Sequence, residues 1–196
     1  MLKAHNPSLP SLASALQIQW EPSCALVNLR IHTLDAPMHE ALRSQQIALP
    51  DAANTSALQG STRSVWAGPD DWFVMDEAQA PSNTHLVAQR LQAAVGNAHH
   101  AITDVSSGYR RLTLRGSATR ELLAQGCPLD LHERVFKTGM SAGTHFFKAS
   151  IWLWQTNEQP SFQLLVRRSF APYVHLMLQK ATHASGALAD YVEESQ

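Results

Sequence analysis

The clearest regular pattern in the chain is an alternation of apolar and polar side chains near residue 30. Every second residue from Ala25 to Ile31 is apolar, and Asn28, Arg30 and His32 fall between or just after them. Because successive side chains of a strand point to opposite sides, this alternation predicts a strand with one apolar face. The preceding segment, 1–23, shows no firm period and is expected to be an extended N-terminal lead-in.

Turn residues and helical spacing predict the rest of the first half. Asp35 can cap a helix through its carboxylate, and glycine favours helix ends. The expected elements are a helix from Asp35 to Ile47, a polar loop over 48–62, a hairpin with strands at 65–67 and 72–75, a helix from Pro81 to Gly96, and a strand over 101–105.

The second half repeats this kind of pattern. On its first strand, Leu112 and Leu114 are expected to point inward, and Arg111, Thr113 and Arg115 outward. The expected elements are a strand at 110–115, a helix capped by Ser117 and ended by Gly126, strands at 145–148, 151–155 and 162–166, and a helix capped by Ser169 and ended by Gly186.

The order of these elements predicts an α+β fold. Strands outnumber the crossover helices that a parallel sheet requires. We therefore expect two ferredoxin-like βαββα-type halves, about 24–106 and 107–186, with mixed or antiparallel sheets backed by helices. The two halves would form a single domain over 24–186, followed by an acidic tail over 187–196.

Composition narrows the possible functions. Of 196 residues, 44% are hydrophobic and 16% are charged, the latter below the usual ~25%, and the net charge is -1. Neither the basic footprint of a nucleic-acid binder nor a polybasic segment for an anionic membrane is present. Without a signal peptide or an apolar run long enough to span a bilayer, a cytoplasmic location is expected.

Residues 139–143, Gly-Met-Ser-Ala-Gly, match the G-x-S-x-G pattern of a hydrolase nucleophile elbow. That chemistry requires a helix directly after the serine, and here a strand is predicted there. Only Glu158 followed by His175 or His183 offers the required acid and histidine order, with too little chain left for the fold. We therefore interpret the pattern as a chance match or a tight turn.

Other polar residues give no metal or catalytic motif. The ten histidines include no H-E-x-x-H pattern, and the two cysteines are not in a C-x-x-C pair. Asp70, Asp71 and Asp104 are the best carboxylate candidates, but each precedes or occupies a predicted turn, where aspartate is favoured by backbone hydrogen bonding. No P-loop or G-x-G-x-x-G sequence predicts a nucleotide site, and no catalytic, cofactor-binding or metal-binding residue is assigned.

Two arginines close a predicted strand at the start of the last helix. Arg167 and Arg168, with Ser169, are candidates for an anion or partner contact, because a helix N-terminus and a guanidinium both favour negative charge. A solvated arginine pair is an equally good interpretation, since consecutive strand residues face opposite ways.

One strand is predicted to be covered on both faces. Ile151 and Leu153 form one face, and Trp152 and Trp154 form the other. The tryptophans could pack against a helix of this domain or a partner subunit, because aromatic residues are enriched in interfaces.

Five segments, in this order along the chain, resemble the gamma subunit of heterotetrameric sarcosine oxidase. They are Leu49-Pro50 with Ala53-Asn54-Thr55, Trp66-Ala67-Gly68-Pro69-Asp70-Asp71-Trp72, Thr103-Asp104-Val105-Ser106, Gly126-Cys127-Pro128-Leu129-Asp130-Leu131 and Leu165-Val166-Arg167-Arg168-Ser169-Phe170. The candidate interface or family-motif positions are Asn54, Trp66, Asp70, Trp72, Asp104, Cys127, Asp130, Trp152 and Trp154. A more distant similarity links residues 104–106 and the helix start at 116–118 to the folate-binding region of aminomethyltransferases.

The resemblance implies a subunit of an enzyme that oxidatively demethylates sarcosine to glycine, yielding formaldehyde or methylene-tetrahydrofolate and hydrogen peroxide. Its partners would be the alpha, beta and delta subunits. FAD, FMN, NAD and tetrahydrofolate are implied for those partner subunits, and none for this chain. The alternative is a stand-alone binding protein for folate or another carboxylated small molecule, with Arg167 and Arg168 binding its carboxylates.

Overall fold

The computed structural model describes residues 15–32, 34–185 and 189–192. Within these residues the strands form a six-stranded and a five-stranded sheet. The helices are α1 (Ala36–Ser44), α2 (Thr84–Val95), α3 (Thr119–Ala124) and α4 (Ala171–Ser185). The strands are β1 (Leu16–Trp20), β2 (Ala25–Ile31), β3 (Ser56–Gln59), β4 (Thr62–Gly68), β5 (Asp71–Asp76), β6 (His100–Asp104), β7 (Tyr109–Arg115), β8 (Ser141–Phe146), β9 (Ala149–Asn157), β10 (Ser161–Arg167) and β11 (Ala189–Val192).

The two sheets share one topology. The first has the order β3-β4-β5-β2-β6, with every neighbouring pair antiparallel. The second has the order β8-β9-β10-β7-β1-β11, so it repeats the first with β1 inserted before the last strand. Leaving aside the edge strands β3 and β8 and the inserted β1, each half has the ferredoxin-like strand order. The α+β prediction with two such halves is confirmed.

The expected capping residues of the first half are in place. The carboxylate of Asp35 accepts a hydrogen bond from the Met38 backbone N–H at 3.0 Å, and Pro37 lies in the first turn of α1. Gly96 follows α2 with a φ of 57°, a conformation that glycine adopts without steric cost. Local sequence therefore determines where α1 begins and where α2 ends.

Two segments without predicted structure contain strands. β1 lies inside the expected lead-in 1–23 and pairs antiparallel with β7. β3 lies inside the expected polar loop 48–62 and pairs antiparallel with β4. Both are short, and each is stabilised by hydrogen bonds to a neighbouring strand rather than by its own periodicity. Residues 1–14 of the lead-in lie outside the described residues.

The ends of the second-half elements also differ from expectation. Ala118, not Ser117, occupies the N-cap position of α3. Ser169 lies within a 3₁₀ turn, Arg168–Phe170, that leads into α4. Part of the expected acidic tail is strand β11, which pairs parallel with β1. Gly186, the expected end of the last helix, and residues 187–188 and 193–196 lie outside the described residues.

The layers follow from three apolar clusters. Val27, Leu29 and Val74 of the first sheet pack with Val87 and Leu91 of α2. Leu112, Leu114 and Leu164 of the second sheet pack with Val174 and Leu178 of α4. A third cluster contains Leu26, Val65 and Phe73 from the first sheet and Trp154 and Leu165 from the second. The sheets therefore pack face to face, with helices on both outer sides.

This packing corrects the expected outward positions on β7. Arg111 and Thr113 do point away from the helices, but both are buried, whereas Arg115 is exposed. The opposite sheet covers that face of the strand. An alternating pattern identifies the two faces of a strand, and it does not reveal that a second sheet lies on the polar one.

Candidate functional site

Asn54 and the Gly-Met-Ser-Ala-Gly segment meet where the edges of the two sheets join. The Asn54 carbonyl accepts a hydrogen bond from the Ser141 backbone N–H at 2.8 Å, and the Gly139 carbonyl accepts one from Ser56 N–H at 2.7 Å. Thr55 and Met140 form an isolated antiparallel bridge between them. Asn54 has a φ of 59°, which asparagine tolerates better than most residues. Because Ser141 is fully buried in β8, it has no role as a surface nucleophile.

The motif at 104–106 forms a hydrogen-bonded latch in which Ser106 is buried and Asp104 is exposed. The Asp104 carboxylate accepts hydrogen bonds from the N–H and the hydroxyl of Ser106, at 2.9 and 2.7 Å. The Ser106 hydroxyl oxygen accepts one from Leu26 N–H at 2.9 Å and lies 2.6 Å from the Thr84 hydroxyl. This arrangement fixes the end of β6 against β2 and the start of α2.

The Trp66 to Trp72 segment forms the β4–β5 hairpin. Trp66 and Trp72 are directly opposite each other across the hairpin. Both pack on the apolar cluster between the first sheet and α2. The Trp72 indole N–H donates to the Pro50 carbonyl at 3.3 Å, which ties in the segment 49–55. Asp70 takes a φ of 59° in the turn. Its carboxylate lies 2.8 Å from His32 and raises the pKa of that imidazole.

Cys127 and Asp130 lie in the loop after α3. Cys127 is a buried free thiol, 3.7 Å from the Thr144 hydroxyl. The Asp130 carboxylate accepts a hydrogen bond from His132 N–H at 2.9 Å, which closes a local turn. Both positions have structural contacts within the chain itself.

Trp152 and Trp154 pack against the other sheet of the same chain. Trp154 is fully buried, and Trp152 is partly buried. The Trp152 ring makes edge-to-face contact with Phe73 at 4.8 Å between centroids, and Tyr109 approaches Phe73 at 5.3 Å. Burial raises the pKa of the Tyr109 phenol. The sequence did not indicate what packs on this tryptophan face, and the structure shows that it is the first sheet.

The three candidates at the end of β10 are all exposed. Arg167 is exposed and lies over the ring of Tyr109, 5.9 Å from its centroid. Arg168 and Ser169 are exposed in the 3₁₀ turn before α4. Arg110 lies on the opposite face of the sheet, beside the start of α4 and 5.6 Å from the centre of the Trp20 ring. The anion-contact hypothesis for 167–169 remains a proposal.

Sequence reasoning missed a charged cluster between the sheets. The Glu77 carboxylate accepts a hydrogen bond from Arg63 at 2.8 Å and pairs with Arg111 at 3.3 Å, so one carboxylate contacts two buried guanidinium groups. Cys24 lies nearby, and burial raises the pKa of its thiol despite the neighbouring Arg111. The only sequence signal was Arg111, which was expected on the outward face of a strand whose other face is apolar.

The candidate residues therefore mainly support the fold. Their carboxylates and hydroxyls bind backbone groups, and their rings fill the space between layers. Among the described residues, no group of three or more histidine, cysteine, aspartate or glutamate side chains is arranged to hold a metal ion. None of the described helices is both long and apolar enough to cross a bilayer.

Solved structures with a similar fold include the following two. Heterotetrameric sarcosine oxidase from Corynebacterium sp. U-96, in complex with pyrrole 2-carboxylate, contains a chain that is 29% identical, with a TM-score of 0.74 and coverage of 89% of this chain and 88% of that one. Aminomethyltransferase T of the glycine cleavage system from Bartonella henselae is 10% identical, with a TM-score of 0.63 over 91% of this chain and 48% of that one. At that identity the second match shows a shared fold alone.

The sequence matches two characterised relatives and one family. Sarcosine oxidase subunit gamma from Corynebacterium sp. (strain P-1) is 34% identical over 118 residues, which span 60% of this chain and 55% of that subunit. The subunit gamma of strain U-96 is 32% identical over 152 residues, 76% of this chain and 71% of that subunit. Residues 32–184 match the sarcosine oxidase gamma subunit family. The chain therefore belongs to the sarcosine oxidase gamma subunit family.

Proposed function

We propose that this chain is the gamma subunit of a cytoplasmic heterotetrameric sarcosine oxidase and supports that enzyme without catalysing a step itself. The main support for this proposal is the family match over residues 32–184, together with the structural match to a heterotetrameric sarcosine oxidase. In this proposal the complex oxidatively demethylates sarcosine to glycine, releasing formaldehyde or methylene-tetrahydrofolate and hydrogen peroxide. The alpha, beta and delta subunits hold FAD, FMN, NAD and tetrahydrofolate.

The geometry of the candidate residues supports a structural role. A general acid or base must reach a reacting proton within hydrogen-bonding distance. The Asp104 carboxylate is instead engaged by Ser106, and the Glu77 carboxylate by Arg63 and Arg111. The Glu77 carboxylate joins strands of the two sheets, and the Asp104 carboxylate orients the Ser106 hydroxyl that contacts β2 and the start of α2. Both arrangements fit a rigid subunit that stabilises its partners.

Co-expression of the four subunits, with and without this chain, tests the proposal. We expect sarcosine-dependent oxygen consumption per flavin to require this chain for full activity, because the complex is less stable without it. The purified chain alone should show no sarcosine oxidation. Turnover by the isolated chain, or an equally active and stable three-subunit complex, would contradict the proposal.

The rival function is independent binding of a folate or another carboxylated ligand. Exposed Arg167 and Arg168 are the features that favour it, since guanidinium groups bind carboxylates. Titration of the isolated chain with tetrahydrofolate separates the two hypotheses. Saturable binding that an Arg167→Ala/Arg168→Ala variant loses would favour the rival, and no binding would remove it.

A further inference from the structure

The turn between β8 and β9 holds an aromatic ring at the surface in an unfavourable backbone conformation. Phe147 has a φ of 51°, in the left-handed region that bulky residues avoid. The residue is nevertheless 37% exposed, so its ring is only partly buried. Strained backbone of this kind is concentrated at functional positions.

Neighbouring residues fix the position of this ring. The Phe147 N–H donates to the Gly126 carbonyl at 2.8 Å, and its ring contacts Phe146 edge to face at 4.9 Å. A Cβ at Gly126 would lie 2.6 Å from the Phe147 ring, so only glycine allows the close approach. The exposed ring is therefore preorganised, which lowers the entropic cost of binding something against it.

Helix α4 lies beside this turn and exposes a leucine one helical turn away. The Tyr173 hydroxyl accepts a hydrogen bond from Lys148 N–H at 3.4 Å, which places α4 beside the turn. Leu176, one turn further along, is 46% exposed, and Lys180 lies on the same side of the helix as Tyr173. We call the surface formed by Phe147, Lys148, Tyr173, Leu176 and Lys180 the α4 face.

The charge of the α4 face has one sign. Residues 171–185 contain no aspartate or glutamate, and Lys148 and Lys180 are both exposed. The acid of the neighbouring helix, Glu121, lies in the first turn of α3, whereas the contact from α3 to α4 runs from Gln125 to the Ala181 carbonyl. An apolar centre with lysines beside it favours a partner surface that carries carboxylates around an apolar patch.

We propose that the α4 face docks this chain onto an acidic, apolar-centred surface of another subunit of the heterotetramer; this rests on the proposed function. A second copy of this chain fits less well. A two-fold symmetric interface places the same patch on both sides, so it would bring the lysines of one copy toward those of the other. Opposite charge on a different polypeptide removes that repulsion.

Co-purification of tagged surface variants with the other subunits tests the proposal. The test variant is Phe147→Asn/Leu176→Gln, because asparagine tolerates the positive φ and glutamine suits an exposed helix position. The matched control is Leu86→Gln, which alters a similarly exposed leucine on α2. Each tagged chain is co-expressed with the other three subunits, checked by circular dichroism, and assayed for the amount of each subunit it retains.

We expect the test variant to fold and to weaken subunit binding about tenfold or more, while Leu86→Gln binds as the unaltered chain does. Lys148→Glu/Lys180→Glu should also weaken binding, and added salt should weaken binding of the unaltered chain. Full binding by the folded test variant would overturn the α4 face alone. Failure of the unaltered chain to retain any of the three subunits would overturn the proposed function and this inference together.

Discussion

The two halves of the molecule have the same strand order but use it differently. The first half is closed by contacts within itself: the Asp104–Ser106 latch fixes β6, and the Trp66–Trp72 hairpin packs on its own core. The second half accepts an additional strand, β1, and holds Phe147 at the surface of its outer layer. A repeated backbone arrangement thus provides one five-stranded half and one half that accepts a sixth strand, and more of the exposed large apolar side chains among the described residues lie in the second half.

The charged cluster between the sheets should be the strongest link between the halves. Glu77→Gln would leave Arg63 and Arg111 buried without a counter-charge, and we expect the free energy of unfolding to fall by about 3 kcal/mol. Urea denaturation measures the change. Glu40→Gln, on the exposed side of α1, is the control and should shift stability by less than about 0.5 kcal/mol. An unchanged midpoint for Glu77→Gln would show that the cluster does not join the halves.

The inserted strand gives the second prediction. Gly116 has a φ of 114°, and a Cβ there would lie 2.9 Å from the carbonyl carbon of Ala15, next to β1. Gly116→Ala should therefore displace β1 and lower the free energy of unfolding by about 2 kcal/mol. Amide hydrogen exchange should rise most in β1 and β7.

Gly108→Ala is the matched control, because nothing lies within 4 Å of the corresponding Cβ position. It should leave both stability and exchange nearly unchanged. Equal effects of the two substitutions would contradict the special role of β1 in the second half.

The latch of the first half gives a smaller effect. Ser106→Ala leaves the buried Leu26 N–H without its acceptor, and we expect a loss of about 1.5 kcal/mol. The neighbouring Ser107 is exposed, so Ser107→Ala should cost little. Thermal unfolding of both variants, followed by circular dichroism, measures the difference, and equal melting temperatures would argue against the latch.

The smallest effect concerns pH at the β4–β5 turn. The hydrogen bond from His32 to Asp70 raises the imidazole pKa above the reference value of 6.5, so the protonated form is favoured in the folded chain. Its slight stabilisation is complete below the pKa of the unfolded chain and is lost as pH rises through the folded pKa. Proton NMR should find a higher His32 pKa in the unaltered chain than in Asp70→Asn. The same pKa in both would contradict the pairing.

Local signals predicted much of the fold, and contacts distant in sequence account for what was missed. The Asp35 cap and the Gly96 stop act within a few residues, so the sequence around them was sufficient. Strand β1 carries a usable alternation of Leu16 and Ile18 with glutamines, but its partner β7 lies nearly a hundred positions later.

The candidate site was harder to predict because the same residue types serve folding and chemistry. The turn predicted after Asp104 accounts for the hydrogen bond from the Ser106 N–H to its carboxylate, but nothing near Trp152 in sequence indicated that Phe73 would contact its ring. The Arg63–Glu77–Arg111 cluster required knowledge that two sheets face each other. Phe147 gave no local signal, since its unusual φ arises from the turn and from Gly126 beneath its ring.

Native mass spectrometry of the tagged chain, purified from its own cells, tests whether this chain is one subunit of a four-subunit flavoprotein. We expect a complex that contains one copy of this chain, three other polypeptides and bound flavin. Release of the 21.6 kDa chain should accompany loss of complex stability. A lone 21.6 kDa species without flavin or partner chains would contradict the proposed role as a subunit of a heterotetrameric enzyme.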